Sequence, residues 1–441
     1  MSQDLQQTPN QPHQFDHNKL STHILLALAF GLVAGALINL IFPDDGLVQS
    51  WVVEGLFNVV GDMFVRFLTM LIVPIVFVSL ISGVASLADP RSLGRVSAKA
   101  IGLYLLTTLI AVVLALTGGA IFKTGVSVGA VSDQALEIAS APPFSQVLVE
   151  MVPSNPVQAM AEGNMLPIII FSILLGLSMS FAGEHGRRIS DFFTDMMEVV
   201  MKLVGIVMLI APYGVFALIA GMAATTGWST FAGLLKYVVL VMAALIVQAA
   251  VVYPLLLKLW SGLSPVRFFH HFRDVIAFAF STASSGATIP VTLRAVQERM
   301  GVSNRISSFT IPLGATINMD GTAIMQGIAV SFIAQYYGVD LAISQYLMVV
   351  FMVVMASIGT AGVPGVGLIL LAGVLTQVGL PAEGIAMILG VDRLLDMTRT
   401  AVNVTGDAVV TCIVANTEGE LDRSRFNETA AAQPPVSGAG G

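Results

Sequence analysis

Polar and apolar positions alternate along this chain on the scale of whole segments, not single helical turns. Runs without charge recur at Ile24–Pro43, Phe67–Ala88, Ala100–Phe122, Leu203–Leu235, Tyr237–Leu257 and Leu341–Ala382. A run of roughly 18 or more apolar residues can span a bilayer. Six such runs exclude a soluble core as the main architecture, and the short alternating segments of a β-barrel are absent. The pattern predicts an all-α integral membrane protein with helices at about 22–43, 56–86, 97–122, 146–182, 191–224 and 230–261.

Lys and Arg gather at Arg91–Lys99, Arg187–Arg188, Lys258–Arg273, Arg294–Arg305 and Arg423–Arg425. Basic loops stay cytoplasmic, which puts these loops and both termini inside. Two segments then break the simple alternation. Val275–Leu293 is flanked by Arg273 and Arg294, which favour the same side, and its centre reads "STASSGATIP". Leu341–Ala382 is too long for one crossing and carries "SIGTAGVPGVG" over Ser357–Gly367. Each reads as a re-entrant hairpin, at about 267–298 and 344–378, entering from opposite faces. Irregular backbone survives at membrane depth only when buried in protein or lining a wet cavity. Each hairpin is followed by a helix with a polar interruption, "TINMDGTA" (Thr316–Ala323) and "VDRLLDMTRTAVNVTGD" (Val391–Asp407). The repeated unit predicts an inverted repeat around a midplane site.

Composition sharpens one point. Of 441 residues, 56% are hydrophobic and only 11% are Asp, Glu, Lys or Arg, where a soluble chain has about a quarter charged. Mean hydropathy is +0.85. Against that scarcity Val391–Asp407 holds Asp392, Arg393, Asp396, Arg399 and Asp407. On a helix, Asp392, Asp396, Arg399, Asn403 and Asp407 share a sector of about 80°, with Thr400 at its edge. A charge at the bilayer centre costs at least ~2.5–3.5 kcal/mol, so such a stripe should face an interior wall that binds something. An Asp396–Arg399 ion pair at i, i+3 is the purely structural alternative. It leaves Asp392 and Asp407 without an equally near base. Arg393 lies off the stripe. "NMDGT" adds an amide, a carboxylate, a hydroxyl and a glycine that can free backbone carbonyls, the oxygen ligands that hard cations prefer. The lone Cys412 excludes an intrachain disulfide. A His/Cys metal cluster is missing, so neither an enzyme nor a resident cofactor is expected, and no nucleic-acid partner. The polar first twenty residues and the end "AAAQPPVSGAGG" read as disordered tails.

Five segments in register, "MLIVPIVFVSLISGVASL" (Met70–Leu87), "STASSGATIPVT" (Ser281–Thr292), "PLGATINMDGTA" (Pro312–Ala323), "ASIGTAGVPGVG" (Ala356–Gly367) and "LDMTRTAVNVTGD" (Leu395–Asp407), closely resemble the dicarboxylate/amino acid:cation symporters. The resemblance implies eight transmembrane helices plus two re-entrant hairpins, an elevator-type mechanism and a homotrimer in a bacterial inner membrane. It implies a scaffold from 21–90 and 145–228, a transport domain from 91–125 and 229–418, and tails at 1–20 and 419–441. It implies that Arg399, assisted by Thr322, holds the substrate's side-chain carboxylate, as a bidentate guanidinium can. Asp396 would take the α-amino group, and Thr400, Asn403 and Ser285 the main carboxylate. Gly362, Val363, Pro364 and Gly367 belong to the gating second tip. The implied sodium ligands are Asp407, Gly314, Asn318 and Asn403 for one ion. Thr316, Ser357, Ile358 and Thr360 would hold a second, and Tyr104, Thr107, Thr108, Asn318 and Asp320 a third.

Several positions depart from the family pattern. Ala283 and Met397 stand where many relatives carry Arg. Arg393 is like the C4-dicarboxylate branch, whereas Asp396 is not, and this favours aspartate or glutamate. Gln326 replaces a Glu tied to proton and potassium coupling in animal members. The expected function is therefore symport of an acidic amino acid with cations, chiefly sodium. C4-dicarboxylate or proton-coupled glutamate symport is the alternative, and an anion channel a distant one. Each charge moved across 100 mV is worth ~2.3 kcal/mol, so at least about two cations per anionic substrate are needed before a negative interior assists uptake.

Overall fold

The structure is a computed structural model that describes residues 17–42, 46–86, 94–125, 149–226, 228–358, 365–389 and 391–428. Thr360, Gly362, Val363 and Pro364 of the second tip lie outside the described residues, as do 1–16 and 429–441 of the expected tails. The chain forms α1 (His17–Ile41), α2 (Asn58–Ser86), α3 (Gly94–Phe122), α4 (Met165–Phe181), α5 (Gly183–Leu209), α6 (Ala211–Thr226), α7 (Trp228–Val247) and α8 (Tyr253–Ser261). These are followed by α9 (Pro265–Thr282), α10 (Ser285–Arg294), α11 (Asn304–Ile317), α12 (Asp320–Tyr336), α13 (Ile343–Ser357), α14 (Val366–Gln377), α15 (Ile385–Leu389) and α16 (Asp392–Thr417). Among the described residues the only β pairing is one antiparallel bridge, Val302–Leu421.

Among the described residues, three continuous helical stretches are long and apolar enough to cross a bilayer: Gly46–Ala85, Gly94–Phe122 and Gly233–Ser261. A fourth passes as a pair, α5 with α6, bent by 49°. The bend falls at Ile210–Ala211, just before Pro212, which cannot donate to the ladder. Later helices fall short for identifiable reasons. α11 and α12 are separated by the break at Asn318–Met319, and α16 carries the charged stripe. Phe30, Leu40, Trp51, Phe181 and Ile343 are exposed, an apolar exterior suited to lipid.

Three expected boundaries move. α1 begins at His17, inside the expected tail. The helix expected over about 146–182 is interrupted. Asn155 caps a short helix, Pro156–Glu162, its Oδ1 accepting from Val157 N at 3.0 Å and Gln158 N at 3.2 Å. Gly163 then ends that helix at φ +71°. The stretch 419–428 is ordered.

Two packing groups are visible. α1 lies along α6, and α2 packs on α4, α5 and α6. In the other group α12 is wrapped by α3, α7, α13 and α16, while α16 also touches α8 to α11. The groups meet where α2 contacts α14 and α6 contacts α15.

Helices end at both breaker-rich stretches. α9 ends at Ala283, a non-glycine residue at φ +49°, a left-handed conformation that costs an L-residue roughly 1–2 kcal/mol. Ser284 then caps α10, its Oγ accepting from Ala287 N at 3.2 Å. α13 closes at Ser357–Ile358, and α14 opens after Gly365.

The segment after α16 returns to the base of the first hairpin. Ser303 N donates to Glu420 O at 3.0 Å and Asp422 N to Gly301 O at 2.8 Å. Gly301 sits at φ +70°, and a Cβ there would lie 2.7 Å from Asp422 O, so only glycine fits. Phe426 is fully buried, and its carbonyl is 3.2 Å from Nε2 of His271 on α9. Arg423 Nη2 donates to Ser261 O at 2.8 Å. Glu418 accepts from Lys99 Nζ at 2.5 Å and Arg95 Nη2 at 2.5 Å, bringing in the start of α3.

Hydrogen bonds from Lys99 and Arg95 hold the Glu418 carboxyl below its usual range. A depressed folded pKa contributes stability above the unfolded value, about 4.3, which is lost as pH falls through the folded pKa. Glu418→Gln should therefore lower the melting temperature of the solubilised protein at neutral pH. The gap to wild type should close as pH drops below about 4. Melting curves across pH test this, and a gap independent of pH would contradict it.

Candidate functional site

α16 is buried on all sides from Arg399 to Ala415, so its charged stripe faces protein. Arg399 is 1% exposed and lies between two carboxylates of its own helix. Its Nη2 donates to Asp396 Oδ1 at 2.8 Å, and its Nη1 lies 3.0 Å from Asp392 Oδ1 as an ion pair without hydrogen-bond alignment. The expectation that Asp392 has no near base is thus corrected. Seven residues are about two turns, and a long helical side chain points back toward the N-terminus, so one guanidinium reaches both acids. The described side chains here bring two carboxylates to one guanidinium, whose Nε has no hydrogen-bond partner. Acids outnumber the base by one, while the guanidinium keeps donor capacity that they do not use. Arg393 sits in the first turn of α16.

Thr322 and Gly367 adjoin this cluster. A Cβ on Gly367 would lie 2.9 Å from Thr322 Cγ2 and 3.6 Å from Arg399 Nη1, so the second hairpin presents bare backbone here. Gln326 Nε2 donates to Gly367 O at 3.1 Å. Ser285 is buried in the first turn of α10, which packs on α16. Thr400 donates to Asp396 O at 2.9 Å.

One to two turns further along α16 the stripe becomes a web of oxygens. At the α11–α12 break Asn318 has φ −93°, ψ 81° and Met319 φ −107°, ψ 47°, both outside the helical region. Asn318 Nδ2 donates to Asp407 Oδ1 at 2.9 Å and is 3.2 Å from Asn403 O. Gly321 N donates to Asn403 Oδ1 at 2.7 Å. A Cβ on Gly314 would fall 2.5 Å from Asp407 Oδ1 and 2.9 Å from Tyr104 Oη. Tyr104 donates to Thr310 O at 2.9 Å. Asp407, Asn318, Asn403, Gly314 and Tyr104 therefore converge. A second cluster surrounds Asp320. Its Oδ1 is 2.7 Å from Thr108 Oγ1 and 3.3 Å from Thr107 Oγ1, and Thr107 Oγ1 is also 3.0 Å from Asn318 Oδ1. Thr316 and Ser357 donate to carbonyls of their own helices, Leu313 O at 2.9 Å and Val354 O at 2.7 Å. Ile358 caps α13.

The two buried carboxylates differ. Asp320 Oδ2 also accepts from Tyr253 Oη at 2.8 Å and Gln248 Nε2 at 3.2 Å, giving that side chain four donors. Asp407 receives the one bond from Asn318 among the described residues. A buried carboxylate is costly unless paired or amply hydrogen-bonded, so Asp407 is the less compensated of the two. Gln248 and Tyr253 are absent from the sequence-based site. They flank a π-helical stretch, Gln248–Val252. Residues five apart lie ~140° apart around an α-helix but become neighbours where i→i+5 bonding applies. A lone Gln in the charge-free run Tyr237–Leu257 was the available signal.

Comparison with known proteins fits this geometry. The chain is 37% identical over 418 residues to the proton/glutamate-aspartate symporter of Escherichia coli (strain K12), covering 92% of this chain and 94% of that protein. It is 35% identical over 404 residues to the proton/sodium-glutamate symport protein of Geobacillus stearothermophilus, with 90% and 94% covered. Identity to the C4-dicarboxylate transport protein of Bacillus subtilis (strain 168) is 30% over 418 residues, with 93% and 97% covered. Residues 20–417 match the sodium:dicarboxylate symporter family, and the chain belongs to that family.

Proposed function

We propose that the protein is a secondary active symporter that takes up aspartate or glutamate together with cations, chiefly sodium. The observation that carries this reading is the buried Arg399, flanked by Asp392 and Asp396 yet with an Nε that has no hydrogen-bond partner, beside two oxygen-lined carboxylates. Arg399 recognises the side-chain carboxylate, with Thr322 beside it. Asp396 exchanges its bond to Arg399 for the substrate's ammonium group. Thr400, Asn403 and Ser285 serve the main carboxylate. Sodium binds at Asp407 with oxygens from Gly314, Asn318 and Asn403. Further ions bind around Asp320 with Tyr104, Thr107, Thr108 and Asn318, and near Thr316, Ser357, Ile358 and Thr360. The second tip, with Gly362, Val363, Pro364 and Gly367, is the gate.

This reading extends to architecture. Eight membrane crossings with two hairpins divide into a scaffold (21–90 and 145–228) and a transport domain (91–125 and 229–418). The transport domain moves as an elevator within a homotrimer of the bacterial inner membrane. The packing of α1, α2 and α4 to α6 apart from the helices around α12 and α16 supports that division. C4-dicarboxylate symport is the second reading, favoured by the resemblance to the Bacillus subtilis protein and by Arg393.

Reconstituted vesicles given labelled aspartate, glutamate or succinate under sodium-only and proton-only gradients separate these readings. Concentrative aspartate or glutamate uptake driven by sodium is expected, and flux that never exceeds equilibrium would point to a channel. Removing one partner of a buried charge pair costs about 2–5 kcal/mol, so Arg399→Ala should lower uptake of acidic substrates by roughly 30-fold or more. Asp396→Ala should weaken aspartate far more than succinate; equal loss for both would remove the ammonium role. Asp407→Asn should raise the half-saturating sodium concentration roughly ten-fold or more. An unchanged sodium dependence would exclude Asp407 as a ligand.

A further inference from the structure

Tyr237 belongs to neither oxygen cluster, yet it is fully buried and its hydroxyl has no hydrogen-bond partner among the described residues. It lies on α7, which packs against both α12 and α16. Its ring rests on Phe332 of α12, with centroids 5.2 Å apart and planes at 40°. The charges of Asp392, first, and Arg399 act on its hydroxyl. A phenylalanine would make the same ring contact without burying an unmet hydroxyl, which costs about 1–3 kcal/mol. Arg399 Nε is a second buried donor without a partner in this neighbourhood, and Arg399 Nη1 is paired to Asp392 without hydrogen-bond alignment. Buried donors gathered around a charge and lacking an acceptor are complementary to a carboxylate, an acceptor-only group that takes several donors at once.

We propose that Tyr237 is a substrate-binding residue whose hydroxyl donates to the same carboxylate that Arg399 holds. Its hydroxyl and the Arg399 Nε then fix the orientation of that carboxylate from the α7 side. The inference rests on the function proposed above and deepens it, because Tyr237 becomes part of the selection for an acidic side chain.

The test uses the full chain, purified and reconstituted, as wild type and as Tyr237→Phe. Wild type is titrated first with aspartate, glutamate and succinate. If none binds, the proposed function fails and the inference with it. If wild type binds, Tyr237→Phe should raise the dissociation constant for its acidic substrate roughly ten-fold. Sodium affinity without substrate should stay the same, and the substrate-free melting temperature should stay the same or rise. A hydroxyl serving only an internal water would lower the substrate-free melting temperature and leave affinity unchanged. That result overturns the inference but not the function. Should the variant fail to fold, 3-fluorotyrosine at position 237 provides a second readout. Its fluorine resonance should shift on adding aspartate in sodium and not with sodium alone, and no substrate-dependent shift would equally overturn the inference.

Discussion

The structure depends on burying Arg399 away from water. A lone guanidinium in a low-dielectric interior is prohibitively unfavourable, so its surroundings must supply negative charge. Asp392 and Asp396 do so from the same helix, at 3.0 and 2.8 Å. Because all three side chains rise from one rigid element, the cluster needs little from the rest of the fold to hold its shape. The packing around it also places bare backbone from the second hairpin at Gly367 against the guanidinium.

Beyond that cluster the same helix meets a different problem. Among the described residues Asp320 and Asp407 are buried without a basic partner, and the fold answers with neutral donors and a broken helix. The interruption at Asn318–Met319 turns polar backbone and amide groups toward α16. Asn318 touches both carboxylate clusters, through Thr107 on one side and Asp407 on the other. A single amide side chain thus joins the two clusters.

Much of this was legible in the residue order. Charge at helical spacing in an apolar chain marked the face of α16, and the Ser/Gly-rich centres marked where α9 and α13 end. The pairing of Arg399 with Asp392 was missed because neighbouring acids were weighed at one turn, not two. Gln248 and Tyr253 were missed because only a local π-helical stretch brings residues five apart to one side. The order in 419–428 was not legible either. Its partners lie on α8, α9 and the turn before α11, far away in sequence, and its own composition is polar.

That last segment sets where the first hairpin can bend. Its base is gripped by the bridge at Val302–Leu421, the buried Phe426 and the Arg423 bond to Ser261. A lever clamped at one end yields at the other. Whatever freedom α9 and α10 have is displaced toward the tip at Ala283, where a left-handed alanine already stores conformational tension.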